Sequence, residues 1–370
     1  MADGGRVIFV TGWPGFIATR LVRRLVGQVD RKRDRLVLFT RAPHAVAARA
    51  ELQSLRVAGE VVEGDVTSMH LGLSGAEYKA LTSHVTEIWH LASLYDLARD
   101  ADAIRAVNLD GTRHVVELAS AARNLDRLHH FSTAYVSGDR EGVILEDELD
   151  LGQGFHDAYE QSKFEAERLV RRAMPDVPAT VYRPSIVVGD SRTGEVDRFN
   201  GPYYLAILLV ASPMTVPLPG DGRAPLNVVP VDFVVDAALS IAASSTALGK
   251  TVHLVDPAPL STRKVYELVT ARSGKSPSSV NLPYRALEAV LALPLVERLT
   301  RPQRNALRLI NHLAIYNCRN QLELLAGTGI SCPPITSYLD RLIEFVRAYF
   351  AAPPRRVRAE EVEDPLDLAP

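Results

Sequence analysis

Short, mostly apolar runs alternate with longer stretches of helical periodicity through the first half of the chain. Residues 7–10, 36–39, 57–62, 87–91, 128–132 and 180–182 have the length and composition of strands. Between them lie helix-length segments such as 15–26 and 100–123. In the second, Ile104, Val107, Val115, Leu118 and Ala122 recur at roughly helical spacing. Strand–helix alternation of this kind predicts an α/β fold, a Rossmann-type doubly wound parallel sheet. Strands covered on both faces should read as continuous apolar runs, as these do.

After about residue 190 the rhythm breaks. Pro213, Pro217, Pro219, Gly220, Gly222, Pro225 and Pro230 punctuate a loop-rich stretch, and helices are expected at about 231–243, 261–272, 285–299 and 337–349. At 370 residues the chain exceeds the ~250–300 that one core usually organises. The expected plan is a dinucleotide-binding domain over 1–190, with parts of 226–260 returning to it. A smaller C-terminal lobe over 191–350 would close on the carboxyl ends of the strands, where open α/β sheets take ligands. Residues 351–370, rich in Pro, Arg and acid, read as a flexible tail.

Charge narrows the function. A formal net charge of −2 leaves no global field for nucleic acid or a membrane surface. The longest apolar run, 203–211, is about half of the ~20 residues a spanning helix needs, although peripheral membrane contact stays open. The start of the chain carries no apolar segment long enough for a secretion signal. The two cysteines, Cys318 and Cys332, lack metal-ligand spacing and make no disulfide framework. A reducing, cytoplasmic setting and no metal are expected. Oligomeric state is not legible.

The first chemical motif follows the first strand: Thr11-Gly12-Trp13-Pro14-Gly15-Phe16-Ile17-Ala18. A glycine-rich turn opening a helix lets backbone amides approach a pyrophosphate, and the helix N-terminus adds its partial positive charge. Ala18 stands where a third glycine often keeps helix and strand close. The second strand ends in Phe39-Thr40-Arg41, with no acid to hold ribose hydroxyls. Arg41 could pair with a 2′-phosphate, so NADPH is expected over NADH. Asp65, followed by Val66, could hold an adenine amino group or equally cap the next helix.

Tyr159 and Lys163 stand four apart, on one face of a predicted helix. A free phenol has a pKa near 10. A neighbouring ammonium and an oxidised nicotinamide both favour phenolate, which should bring the proton affinity towards working pH. At the end of the fifth strand, Thr133 is the choice to hold a substrate oxygen beside Tyr159, and Ser132 is the second choice.

Together these residues resemble the extended short-chain dehydrogenase/reductases. Thr11-Gly12-x-x-Gly15-x-x-Ala18, Gly64-Asp65, His90-Leu91-Ala92-Ser93, Asn108-x-x-Gly111-Thr112, Thr133, Tyr159-x-x-x-Lys163 and Arg183-Pro184 stand in that family's order. The resemblance implies that Thr133, Tyr159 and Lys163 form the catalytic group and that Leu91, Ala92 and Ser93 lie along the cofactor. It implies also that the backbone of Pro184, Ser185, Ile186 and Val187 meets the nicotinamide, and that Asn108 is structural. Within that family the chain is most similar to the thioester-reductase and fatty acyl-CoA-reductase branch. The residues that carry this are His130–Gly138, the Arg183–Gly194 stretch and Val229–Ala237. Residues beyond 260 do not match the extra C-terminal domain of eukaryotic fatty acyl reductases.

The implied reaction is reduction by NADPH of a hydrophobic acyl thioester, bound to CoA or a carrier, to aldehyde or alcohol. A hydrophobic ketone or secondary alcohol, as in hydroxysteroid-like dehydrogenases, is the alternative. A non-catalytic NADP(H)-binding regulator is the minor one. The apolar stretches 203–210 and 287–295 could line an acyl pocket or simply pack the lobe.

Overall fold

The computed structural model describes residues 5–95, 100–197, 217–278, 281–282 and 311–351. From the N-terminus, β1 (Val7–Thr11) leads into α1 (Phe16–Leu25), β2 (Arg35–Thr40) into α2 (Ala45–Leu55) and β3 (Gly59–Glu63) into α3 (Gly75–His84). Next, β4 (Glu87–His90) precedes α4 (Ala101–Arg105), one π-helical turn (Ala106–Asp110) and α5 (Gly111–Ala121). Then come β5 (Arg127–Phe131), β6 (Gly142–Ile144), α6 (Ala158–Ala173), β7 (Ala179–Pro184) and β8 (Ile186–Val188). The second half holds β9 (Leu218–Pro219), β10 (Val228–Pro230), α7 (Val231–Ala242), β11 (Thr251–Leu254) and α8 (Thr262–Arg272). After it stand β12 (Asn281–Leu282), β13 (Ala314–Tyr316), α9 (Arg319–Leu325) and α10 (Leu339–Ala351).

Seven strands form one sheet in the order β11-β7-β5-β4-β1-β2-β3, every pairing parallel. The chain builds outward from β1 to β3, then returns to β4 on the other side of β1. That reversal opens a crevice between β1 and β4 at their carboxyl ends. One face of the sheet packs against α1 and α7 through Leu21, Val22, Leu25, Val234 and Ala238. The other packs against α5 and α6 through Val115, Leu118 and Val170. Burial on both faces explains why β1 and β2 are largely apolar without alternation. A second apolar cluster joins β8 and β10 to α8 and α10 through Ile186, Val228, Val265, Tyr338 and Ile343.

The structure adds elements that periodicity does not reveal. The helix α2 buries only Ala45, Ala48 and Leu52, a stripe too small to stand out. The seventh strand, β11, is four residues long and alternates Thr251 and His253 with Val252 and Leu254, yet all four are buried. The His253 ring is acceptable inside because Arg183 and the Asn317 carbonyl, both distant in sequence, satisfy it. The expected helix over 100–123 is broken by the π turn at Ala106–Asp110. The expected helix at 285–299, the apolar stretches 203–210 and 287–295, and the tail from 352 lie outside the described residues.

Candidate active site

The carboxyl edge of the sheet begins with the glycine turn. Gly12 has φ +87°, a left-handed conformation that favours glycine. A Cβ there would lie 2.6 Å from the backbone nitrogen of Ala92, and one on Gly15 would lie 2.7 Å from the Gly12 carbonyl oxygen. Both glycines are therefore required by close backbone approach. Gly15 caps α1 without a side-chain bond, and no acid stands in the first helical turn. The leading amides of α1 have no intrahelical acceptors and face outward as an anion cradle. Ala18 is buried against the strand, and the buried Trp13 Nε1 has no hydrogen-bond partner among the described residues. An open helix end, two glycines that admit no Cβ and an orphan donor fit a dinucleotide phosphate.

A hydrogen-bond chain ties this turn to β4. The Thr112 hydroxyl donates to the Asn108 carbonyl oxygen at 2.6 Å and so accepts from His90 Nε2 at 3.0 Å. His90 Nδ1 is then left to accept from the Thr11 hydroxyl at 2.8 Å. Burial, aided by the Lys163 charge, lowers the His90 pKa to about 3, so the ring is neutral as this chain requires. The Thr11 oxygen also accepts from the amides of Leu91 and Ala92, both at 3.2 Å. These bonds hold the two sides of the crevice together.

The helix α6 starts where Asp157 accepts from the Glu160 amide at 2.9 Å, an N-cap that places Tyr159 in the first turn. Lys163 follows one turn later, buried, with Nζ donating to the Phe131 carbonyl oxygen at 2.6 Å. The Ser93 and Thr133 hydroxyls lie near the Tyr159 phenol and favour its anion. Tyr95 packs edge-on against its ring, with centroids 4.7 Å apart. Thr133 also caps the next turn by accepting from the Tyr135 amide at 3.3 Å.

The expected acid phenol is not what this environment makes. Burial, reinforced by the nearby Asp157 carboxylate, pushes the Tyr159 pKa up, against the pull of the two hydroxyls. Burial likewise lowers Lys163 to about 8, with Glu167 opposing the fall. Four-residue spacing puts both groups on one face, as expected. It does not aim the ammonium at the phenol, because the Phe131 carbonyl takes its short bond.

Ser132 does not face the crevice. Its hydroxyl donates at 2.6 Å to Glu167, which is fully buried. The same carboxylate receives Arg183 through Nε at 2.9 Å and Nη2 at 2.7 Å, and Arg171 through Nε at 2.8 Å. Arg183 continues to His253 Nε2 at 3.2 Å, and His253 Nδ1 donates to the Asn317 carbonyl oxygen at 2.6 Å. Tyr159, Lys163 and Glu167 thus form one helical row at spacings of four. That four-residue regularity is visible in the sequence and is the signal that marks Glu167.

The remaining candidates distribute along the same edge. Pro184, Ser185 and Ile186 are buried and Val187 is half-buried where β7 passes into β8. Ser185 donates to Asn227 at 2.8 Å. Arg41 is exposed immediately beyond β2. Asp65 caps its own turn rather than a helix, accepting from the amide and hydroxyl of Thr67, both at 2.8 Å. Val66 is buried against Gly111. Asn108, in the π turn, accepts from Ser93 Oγ at 3.1 Å and the Leu94 amide at 2.7 Å, and donates to Ser162 at 3.0 Å. It joins the β4 exit to α6, the structural part expected of it. Among the described residues no group of acids, histidines and cysteines is placed to hold a metal ion, and no helix is long and apolar enough to cross a membrane.

A family profile of NAD-binding domains, described as male sterility protein, matches residues 10–238. The chain belongs to this family. Over 275 residues it is 29% identical to the nonribosomal peptide synthetase asaC of Aspergillus flavus, covering 68% of the chain but 26% of that protein. Over 277 residues it is 25% identical to the fatty acyl-CoA reductase wat of Drosophila melanogaster, covering 64% of the chain and 53% of that protein. The chain therefore spans about a quarter to a half of the length of these relatives. The terminal R domain from the myxalamid PKS-NRPS biosynthetic pathway superposes with a TM-score of 0.80 at 25% identity, covering 95% of this chain and 93% of that one. Membership of the family places the chain in the thioester-reductase and fatty acyl-CoA-reductase branch of the extended short-chain dehydrogenase/reductases.

Proposed function

We propose that this protein is an NADPH-dependent reductase that delivers hydride to the carbonyl of a hydrophobic acyl thioester, giving an aldehyde or alcohol. The observation that carries the reading is the Tyr159 phenol, flanked by the Thr133 hydroxyl on the sheet edge that also bears the glycine turn. The turn from Thr11 to Ile17 would hold the pyrophosphate, Asp65 and Val66 the adenine, and Arg41 a 2′-phosphate. Leu91, Ala92 and Ser93 would line the cofactor, and the backbone from Pro184 to Val187 would meet the nicotinamide. Residues 191–350 would supply the substrate lobe. The reading carries a cytoplasmic setting in which Cys318 and Cys332 stay reduced.

When bound, the dihydronicotinamide supplies the hydride. Thr133 and Tyr159 donate hydrogen bonds to the carbonyl oxygen as it gains charge, and Tyr159 then gives up its proton. A phenol held protonated by burial is suited to this direction, since reduction needs an acid. Lys163, buried as an ammonium, keeps positive charge behind the site. From a thioester the hemithioacetal so formed loses its thiol to give the aldehyde.

The deciding experiment follows NADPH consumption with acyl-CoA substrates beside hydrophobic ketones. Free thiol released in step with NADPH oxidation supports the thioester reading, while turnover of ketones alone replaces it with a ketoreductase. Arg41→Ser should lower the NADPH-to-NADH preference in kcat/KM by about tenfold, the weight of one or two charge-assisted hydrogen bonds. An unchanged preference removes Arg41 from the reading.

A further inference from the structure

Proton donation needs the Tyr159 oxygen held in one place, because a misplacement of about 1 Å can cost about a hundredfold in rate. A tyrosine side chain turns about two bonds, so the helix that carries it does not by itself fix the oxygen. Lys163, one turn on, does not fix it either, since its ammonium gives its 2.6 Å bond to the Phe131 carbonyl oxygen. Among the described residues, the only aromatic ring packed against that of Tyr159 is Tyr95, inclined at 83° with centroids 4.7 Å apart. This is the edge-on arrangement in which the positive edge of one ring meets the negative face of the other.

One buried side chain sets the backbone under both rings. Asn108 Oδ1 accepts from the Leu94 amide at 2.7 Å, and Nδ2 donates to the Leu94 carbonyl oxygen at 3.1 Å. Both main-chain groups of the residue before Tyr95 are thereby fixed. The same Nδ2 donates to Ser162 Oγ at 3.0 Å, and the Ser162 hydroxyl donates to the Tyr159 carbonyl oxygen at 2.9 Å. With Ser93 Oγ donating to Oδ1 at 3.1 Å, the amide has spent all four of its hydrogen-bonding positions. Tyr95 is half-buried, yet it joins none of the apolar clusters formed by the described residues. Its ring is therefore placed against the phenol and not recruited to the core.

We propose that Tyr95 is a positioning residue of the site, holding the Tyr159 ring in the orientation from which its O–H reaches the substrate carbonyl oxygen. The inference rests on the reductase reading above. Tyr95 acts through Tyr159: it neither gives nor takes a proton, and its ring narrows the orientations open to the phenol. It supplies the constraint that the Lys163 ammonium, turned to Phe131, does not. The segment after β4 thus takes part in proton donation as well as in lining the cofactor.

The test compares the whole chain with its Tyr95→Leu and Tyr95→Phe variants at saturating cofactor over a range of substrate concentrations. Tyr95→Leu should lower kcat roughly threefold to tenfold, the weight of one edge-on aromatic pair, and leave substrate KM in place. Tyr95→Phe keeps the ring and should restore kcat. In cofactor-free protein whose tyrosines carry 13C at their ε positions, the ring resonance missing in Tyr159→Phe should shift in Tyr95→Leu and return in Tyr95→Phe. Unchanged kcat in Tyr95→Leu overturns the inference, as does an unmoved Tyr159 resonance. A raised substrate KM with kcat intact makes Tyr95 a wall of the substrate pocket, and a Tyr95→Phe variant as slow as Tyr95→Leu moves the effect to the hydroxyl. Either result overturns the positioning role. Failure of the reductase reading looks different: a wild-type chain that reduces neither thioesters nor ketones, or a Tyr159→Phe variant that keeps turnover, sinks that reading and the inference with it.

Discussion

The two halves of the crevice are built by opposite means. On the β1 side the glycine turn works through missing atoms, since a Cβ at Gly12 or Gly15 would collide with backbone. No charged side chain is needed, and the Thr11 hydroxyl is spent on bracing the loop after β4. On the β5–β7 side the reacting groups are side chains: Lys163 is held by the Phe131 carbonyl oxygen, and buried polar networks centred on Glu167 and Asn108 brace the helix that carries it. A cradle made of backbone tolerates much of its surroundings but no side chain of its own. A site made of side chains tolerates local change but not the loss of its central anion.

Substitutions should separate these designs. Glu167→Ala leaves Arg183 as a buried charge without its carboxylate, and should cost about 3–5 kcal/mol in urea denaturation. A loss under 1 kcal/mol would mean that the network is dispensable and the contrast false. Gly12→Ala combines a left-handed φ with a backbone collision, and should cost about 1–3 kcal/mol while weakening cofactor binding in a titration. If affinity survives at full strength, the turn is not a cradle.

The smallest effect concerns pH. Lys163 carries its ammonium below about 8 and loses it above, whereas Tyr159 stays protonated beyond that range. The pH profile of kcat should therefore fall as pH rises through about 8. In Lys163→Arg, whose residual activity keeps its charge to above 12, that limb should move to higher pH. A limb unmoved in Lys163→Arg assigns the titration to another group. Because Glu167 raises the proton affinity of Lys163, its removal should draw the limb to lower pH.

Much of this was legible in the chain itself. The alternation of short apolar runs with helical periods predicted the parallel sheet, because strands buried on both faces tend to run apolar for most of their length. Thr11-Gly12-x-x-Gly15 and the Tyr159–Lys163 spacing marked the two halves of the crevice, since close backbone approach and a shared helical face are local requirements. Tertiary structure alone decided the rest. It set His253 of β11 between Arg183 and the Asn317 carbonyl, turned Ser132 inward to Glu167, and gave the Lys163 ammonium to the Phe131 carbonyl. Burial then raised the phenol and lowered the lysine, reversing the expectation drawn from charge spacing. Proton affinity depends on desolvation by residues from many parts of the chain, and no local pattern encodes that sum.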